Sequence, residues 1–246
     1  NDKSGMVKVL NYQGNYYCSS RDIKKGRTLL MNANNILEEI EDNRGLAYNC
    51  NIIGSVMIAN GSKDLGKVRD LWEKSLTLYE NLKDNSGIAN QLGQLAWLHI
   101  NDGNFADAMK NLKKALSISK RLGDKEKIAG VLRTISAVLE QKGDDYKSLK
   151  YQIEAKEIYS QIGNKFFEAI TSRSIGITYE KIGKLDKAME YFQVGYKINQ
   201  TDQNSWWFES NIGIILFKKR KYSEAIEFLN KALSNSSAHD KQTDEL

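Results

Sequence analysis

Ser174-Ile175-Gly176-Ile177-Thr178-Tyr179-Glu180-Lys181-Ile182-Gly183-Lys184-Leu185-Asp186-Lys187-Ala188-Met189-Glu190-Tyr191-Phe192 is the stretch that decides how this chain is read. Gly176 is followed three residues on by Tyr179, and Ala188 four residues on by Phe192. Residues at those spacings share a helix face. Gly183 between the two halves supplies a turn. The stretch therefore predicts two antiparallel helices that pack through small residues.

The pattern recurs in steps of 40 residues. Gly183 is preceded by Gly143 and Gly103, and Ala188 by Ser148, Ala108 and Val68. Phe192 is preceded by Gln152, Leu112 and Trp72, and Gly195 by Ala155, Ala115 and Ser75. Self-similarity at such a period marks a repeat architecture, in which one unit cannot bury its apolar stripe alone and stacking buries it on both sides.

Working outward, the pattern predicts six two-helix units in a single array over 1–246: 6–45, 46–86, 87–126, 127–166, 167–204 and 205–234. Residues 235–246 read as a polar tail or the start of a further helix. The fold class is all-α, an α-solenoid of about six antiparallel helix pairs. Small residues at Ala108, Ala115, Ala155, Gly176, Ala188 and Gly213 let helices approach closely, and a bulky replacement there costs ~1–3 kcal/mol.

Composition agrees. The chain of 246 residues is 41% hydrophobic and has no proline, which suits nearly continuous helix. No apolar run is long enough for a transmembrane helix. The net charge of +5 is mild and scattered, and Lys218-Lys219-Arg220-Lys221 reads as a solvated helix end rather than a nucleic-acid footprint. Cys18, Cys50, His99 and His239 fit no zinc or catalytic spacing. The two cysteines fall turns apart on parallel helices, out of disulfide reach. The chain is expected to be no enzyme, to need no cofactor or metal, and to lie in the cytoplasm. It begins Asn1-Asp2-Lys3 and ends Asp244-Glu245-Leu246, so it reads as a processed chain or a piece of a longer one. The ending resembles a retrieval signal in which Thr243 stands where Lys or His belongs.

On the Gly176-x-x-Tyr179, Gly183 and Ala188-x-x-x-Phe192 signature and its recurrence, residues 6 to 235 resemble the tetratricopeptide repeat family. The long period and the absence of the Pro that often ends the repeat set them with its long-repeat members, as in kinesin light chains, polarity adaptors, pheromone regulators of the Rap type and bacterial sensory arrays. The resemblance implies a right-handed superhelix whose first helices line a concave face. It places Asn90, Gln94, Trp97, Arg133, Arg173, Ile177, Trp207 and Asn211 on that face. Two guanidiniums among amides and indoles suit capture of a protein or peptide segment, an acidic one included. The alternative pairs each Arg with Glu140 or Glu180 inside the chain. The Lys/Asn clamp of some members is not carried over, because Asn11 and Asn15 are matched with the apolar Ile53 and Met57.

Three functions follow: a peptide-binding scaffold within a signalling protein; a pheromone-type regulator, which calls for an effector bundle or DNA-binding unit that these residues do not contain; or a structural array that self-associates through Trp206, Trp207 and Phe208. Neither nucleic acid nor membrane insertion is expected.

Overall fold

A computed structural model describes residues 2–20, 22–199 and 205–244, the last eight of these by backbone alone. The described residues form twelve helices: α1 (Lys3–Ser19), α2 (Ile23–Glu39), α3 (Asn43–Ala59), α4 (Leu65–Asn81), α5 (Asn85–Asn101), α6 (Phe105–Leu122), α7 (Lys125–Gln141), α8 (Asp145–Gln161), α9 (Lys165–Lys181), α10 (Leu185–Ile198), α11 (Trp206–Lys218) and α12 (Tyr222–Asp244). Each odd helix pairs with the even helix after it; the first three pairs stack in chain order, and so do the last three. The helices fall into two compact units, Asn1–Gly123 and Asp124–Leu246. None of the described helices is long and apolar enough to cross a membrane.

Local chemistry sets the helix bounds. Asp2, Asp22, Asp42, Asp64, Asp84, Asn104, Asp124, Asp144 and Asn164 cap nine helices, each side chain accepting from the backbone N–H three residues on. Each cap contributes about 1 kcal/mol. The caps start α1, α3, α5, α7 and α9 two or three residues before the unit bounds read from the apolar pattern. Most helix ends turn through one left-handed residue: Gly61, Gly103, Gly123, Gly143, Gly163 and Gly183, and, without glycine's freedom, Glu41, Lys83 and Arg220. α2 stops at Glu39, and Glu41 forms the turn after it. At the other end α12 runs on to Asp244, so 235–244 prolong the last helix instead of opening another. Glu245 and Leu246, which complete the retrieval-like ending, lie outside the described residues, as does the side chain of His239.

The signature glycines have a steric reason. A Cβ on Gly176 would stand 2.5 Å from Phe192, one on Gly54 2.4 Å from Trp72, and one on Gly213 2.7 Å from Leu229. Each glycine receives the large side chain of the next helix.

One register differs from the reading above. Five residues, 60–64, join α3 to α4, where three, 102–104, join α5 to α6. This two-residue insertion pairs Asn11 with Asn51 and Asn15 with Ser55, not with Ile53 and Met57, which are core at 1% and 3% exposure. The apolar match on which the clamp was set aside is therefore corrected to a polar one.

In the first unit the core gathers Leu30, Ile53, Met57, Val68, Trp72, Leu95 and Leu98, with Val7, Leu37, Leu46 and Cys50 beside it. In the second it gathers Ile175, Tyr179, Phe192, Ile212, Ile215 and Leu216. Both cysteines are free thiols.

Candidate functional site

Every odd helix packs on its own partner, those after the first of a unit also on the pair before, and each leaves one stripe in reach of solvent. On α9 the stripe is Phe166, Ile170, Arg173, Ser174 and Ile177, at the three- and four-residue spacing of one helix face. The same positions on α5 are Asn90, Gly93, Gln94 and Trp97, and on α11 Trp207, Ser210, Asn211 and Ile214. All eight expected site residues lie on such stripes. Asn90, Gln94 and Trp97 belong to the first unit; Arg133, Arg173, Ile177, Trp207 and Asn211 belong to the second.

In the first unit the stripe is uncharged apart from Lys8 and Arg44. Gln94 Nε2 donates to Asn51 Oδ1 at 2.8 Å and to Ser55 Oγ at 3.1 Å, tying α5 to α3. Asn90 is exposed and Trp97 is 39% exposed. Asn11 Oδ1 is buried with no hydrogen-bond partner.

In the second unit two guanidiniums lie over rings. Arg173 Nε donates to Asn211 Oδ1 at 2.8 Å, and its guanidinium sits 5.7 Å from the Trp207 ring centre. Burial draws the Arg173 pKa down from its ordinary value, and a guanidinium stays charged regardless. The Arg133 guanidinium lies 5.4 Å from the Phe167 ring, which stacks on Tyr159 at 5.1 Å. Burial raises the Tyr159 pKa, and the charge of Arg133 opposes that rise.

The intramolecular pairing weighed above does not occur. Glu140 accepts from Ser148 Oγ at 3.2 Å, Thr178 Oγ1 at 2.9 Å and Gln152 Nε2. Glu180 pairs with Lys218 at 2.8 Å. Among the described residues, neither Arg133 nor Arg173 has a carboxylate partner. The self-association patch is also corrected. Phe208 is core at 1% exposure, and a Cβ on Gly195 would meet its ring at 2.3 Å, so Trp206, Trp207 and Phe208 do not share an exposed surface. Among the described residues no cluster of three or more His, Cys, Asp or Glu could hold a metal.

Tetratricopeptide repeat family models match residues 88–122, 127–201 and 210–239, together more than half of the chain. The chain belongs to the tetratricopeptide repeat family. No curated protein is similar in sequence. The fold is similar to that of several solved tetratricopeptide repeat and related structures. BtubC from P. vanneervenii superposes with a TM-score of 0.73 at 17% identity, over 98% of this chain and 93% of that one. A signal transduction ATPase with a tetratricopeptide repeat sensor from Pyrococcus horikoshii gives 0.82 at 16% identity; all of this chain matches 39% of that one. A Rap protein complexed with competence and sporulation factor gives 0.70 at 15% identity, over 96% and 76%. At these identities the likeness is one of fold.

Phe167 and Tyr159, which support Arg133, were not foreseen as site residues. The signal was there: Phe167 is an aromatic ring where the repeat has Lys127, Gly87 and Gly45. Asn51 and Ser55, which hold Gln94, were hidden by the two-residue insertion.

Proposed function

We propose that this chain is a non-catalytic scaffold that captures a protein or peptide segment along the odd-helix stripes, as the input or adaptor part of a signalling protein. The observation that carries the reading is the pair of guanidiniums in the second unit. Arg133 and Arg173 are held by Phe167, Trp207 and Asn211, yet neither meets a carboxylate. Guanidiniums so oriented favour bidentate contacts to an incoming carboxylate, and half-buried Trp207 and exposed Ile177 offer the apolar area that anchors a peptide. The solved Rap complex and the ATPase sensor array lend support, because the same fold there accompanies a bound factor and a sensing role.

A selection from random peptides displayed with free C-termini tests this. Asp, Glu or a terminal carboxylate is expected to be enriched among binders, and Arg133→Gln with Arg173→Gln to weaken them at least about tenfold, the effect of losing one charge-assisted hydrogen bond. Binders without an anionic group, or binding indifferent to both substitutions in a chain of unchanged helicity, would overturn it.

A further inference from the structure

A second feature lies in the first unit, away from the odd-helix stripe. Between α2 and α4, over Ile53 of α3, is a cavity of about 280 Å³. Its apolar floor is Ile53, Leu71 and Met31, and it is also lined by Asn34, Arg27 and Lys67.

The repeat itself explains the opening. Where Asn34 stands on α2, the other even helices carry Leu76, Leu116, Lys156, Tyr196 and Leu233; where Arg27 stands they carry Arg69, Met109, Leu149, Met189 and Ile226. Apart from Arg69, these are larger or more apolar side chains along the seam between successive even helices. On α2 the short amide does not fill the seam, and Arg27 is exposed. Asn34 is also fixed from below: its Oδ1 accepts from Asn49 Nδ2 at 2.8 Å, and its Nδ2 lies 3.6 Å from Cys50 Sγ. Asn49 is fully buried, and its own Oδ1 has no partner. Asn34 is thus a built polar wall with hydrogen-bonding capacity to spare.

The charge of the lining is one-sided. Glu38, its one carboxylate, is taken by Lys74 at 2.5 Å. Among the described residues, Arg27 and Lys67 have no acidic partner. Two cations and an amide beside an apolar floor select an anion attached to an apolar group. The volume lies just under the ~300–1,000 Å³ of drug-sized pockets, which limits the occupant to a small molecule.

We propose that this cavity binds a small organic carboxylate, an aromatic or branched aliphatic acid. Its apolar part rests on Ile53, Leu71 and Met31, and its carboxylate faces Arg27 and Lys67, with Asn34 donating from the wall.

Amide shifts of the full chain, recorded during titration with phenylacetate and with 3-methylbutanoate, test this against the neutral 2-phenylacetamide. Saturable shifts are expected in α2 and α4 with at least one acid, and at least about fivefold weaker binding of the amide. Arg27→Glu with Lys67→Glu, both at exposed positions, is expected to weaken the acid about tenfold or more. Asn34→Leu, which puts the repeat's usual residue in the seam, should abolish binding, with circular dichroism confirming the fold. Absence of saturation with both acids, equal binding of acid and amide, or indifference to charge reversal would overturn the proposal. Binding that survives Asn34→Leu in a folded chain would place the acid elsewhere and overturn it as well.

Discussion

The same three repeat positions are apolar in one unit and polar in the other. In the first unit Ile58, Trp72 and Leu98 meet across α3, α4 and α5 as part of the core. In the second the corresponding residues are Glu140, Gln152 and Thr178 across α7, α8 and α9, joined by hydrogen bonds that centre on Glu140. Backbone register is therefore set by helix length, caps and turns, and the seam accepts either chemistry if it is complete. A carboxylate survives at this seam only because Ser148, Gln152 and Thr178 all face it. Glu209 shows the same rule further on: at 1% exposure it is met by Tyr196, Asn235 and Lys231.

The sharpest way to break the apolar side is Trp72→Ala, which empties the space beneath Gly54. It is expected to cost about 3–5 kcal/mol, read as a fall in the denaturant midpoint. On the polar side, Glu140→Ala leaves the buried Gln152 and Thr178 short of their acceptor and is expected to cost about 1–3 kcal/mol. Replacing all three by the residues of the first unit, Glu140→Ile with Gln152→Trp and Thr178→Leu, meets Ser136 where the first unit has Gly54. Gln152→Leu is therefore the better partner. That triple variant is expected to be at least as stable as the parent chain, since exchanging a complete polar network for apolar residues is often neutral or better. Strict additivity of the three single losses would contradict the network reading.

Turns give a smaller contrast. Gly123 and Gly163 adopt the left-handed conformation freely, whereas Lys83, at the same place after α4, does so at φ 53°. Lys83→Gly is expected to raise stability by about 0.5–1 kcal/mol, the left-handed cost relieved less glycine's extra chain entropy, and Gly163→Lys to lower it by a similar amount. The smallest effect is in pH. A hydrogen bond from the Lys127 side chain, joined by one from its backbone, holds Asp124 below the ordinary carboxylate range. Burial alone would raise Glu168, but Lys165, Ser160 and Lys156 draw it below that range. Groups depressed on folding contribute stability above their unfolded pKa of ~4 and lose it as pH falls through the folded values. The melting temperature of the second unit is expected to hold from pH 7 to about 5 and to fall below about 4. Asp124→Asn should reduce that fall.

Much of this architecture could be read from the chain alone because its determinants are local. Gly176 and Phe192 announce their contact by spacing, and Gly183 and Asp144 mark a turn and a cap within a few residues. What crosses between pairs was less legible. The two extra residues at 60–64 leave no mark in composition, yet they shift which α3 residues match Asn11 and Asn15. Likewise, nothing adjacent to Arg133 or Arg173 shows that they meet Phe167, Trp207 and Asn211 rather than Glu140 and Glu180, because those partners stand about 34 to 38 residues away. Phe208 was misjudged for the same reason: its burial depends on Gly195 in the preceding helix.

The central claim is that Arg133 and Arg173 await a carboxylate from another molecule. A double-mutant cycle between Arg173→Gln and removal of the anionic group from a selected peptide, each Kd measured by titration calorimetry, tests it directly. A coupling of about 1.5 kcal/mol or more, the lower end for close charge pairs across an interface, is the predicted result. Losses that simply add, for Arg173 and equally for Arg133, would contradict it.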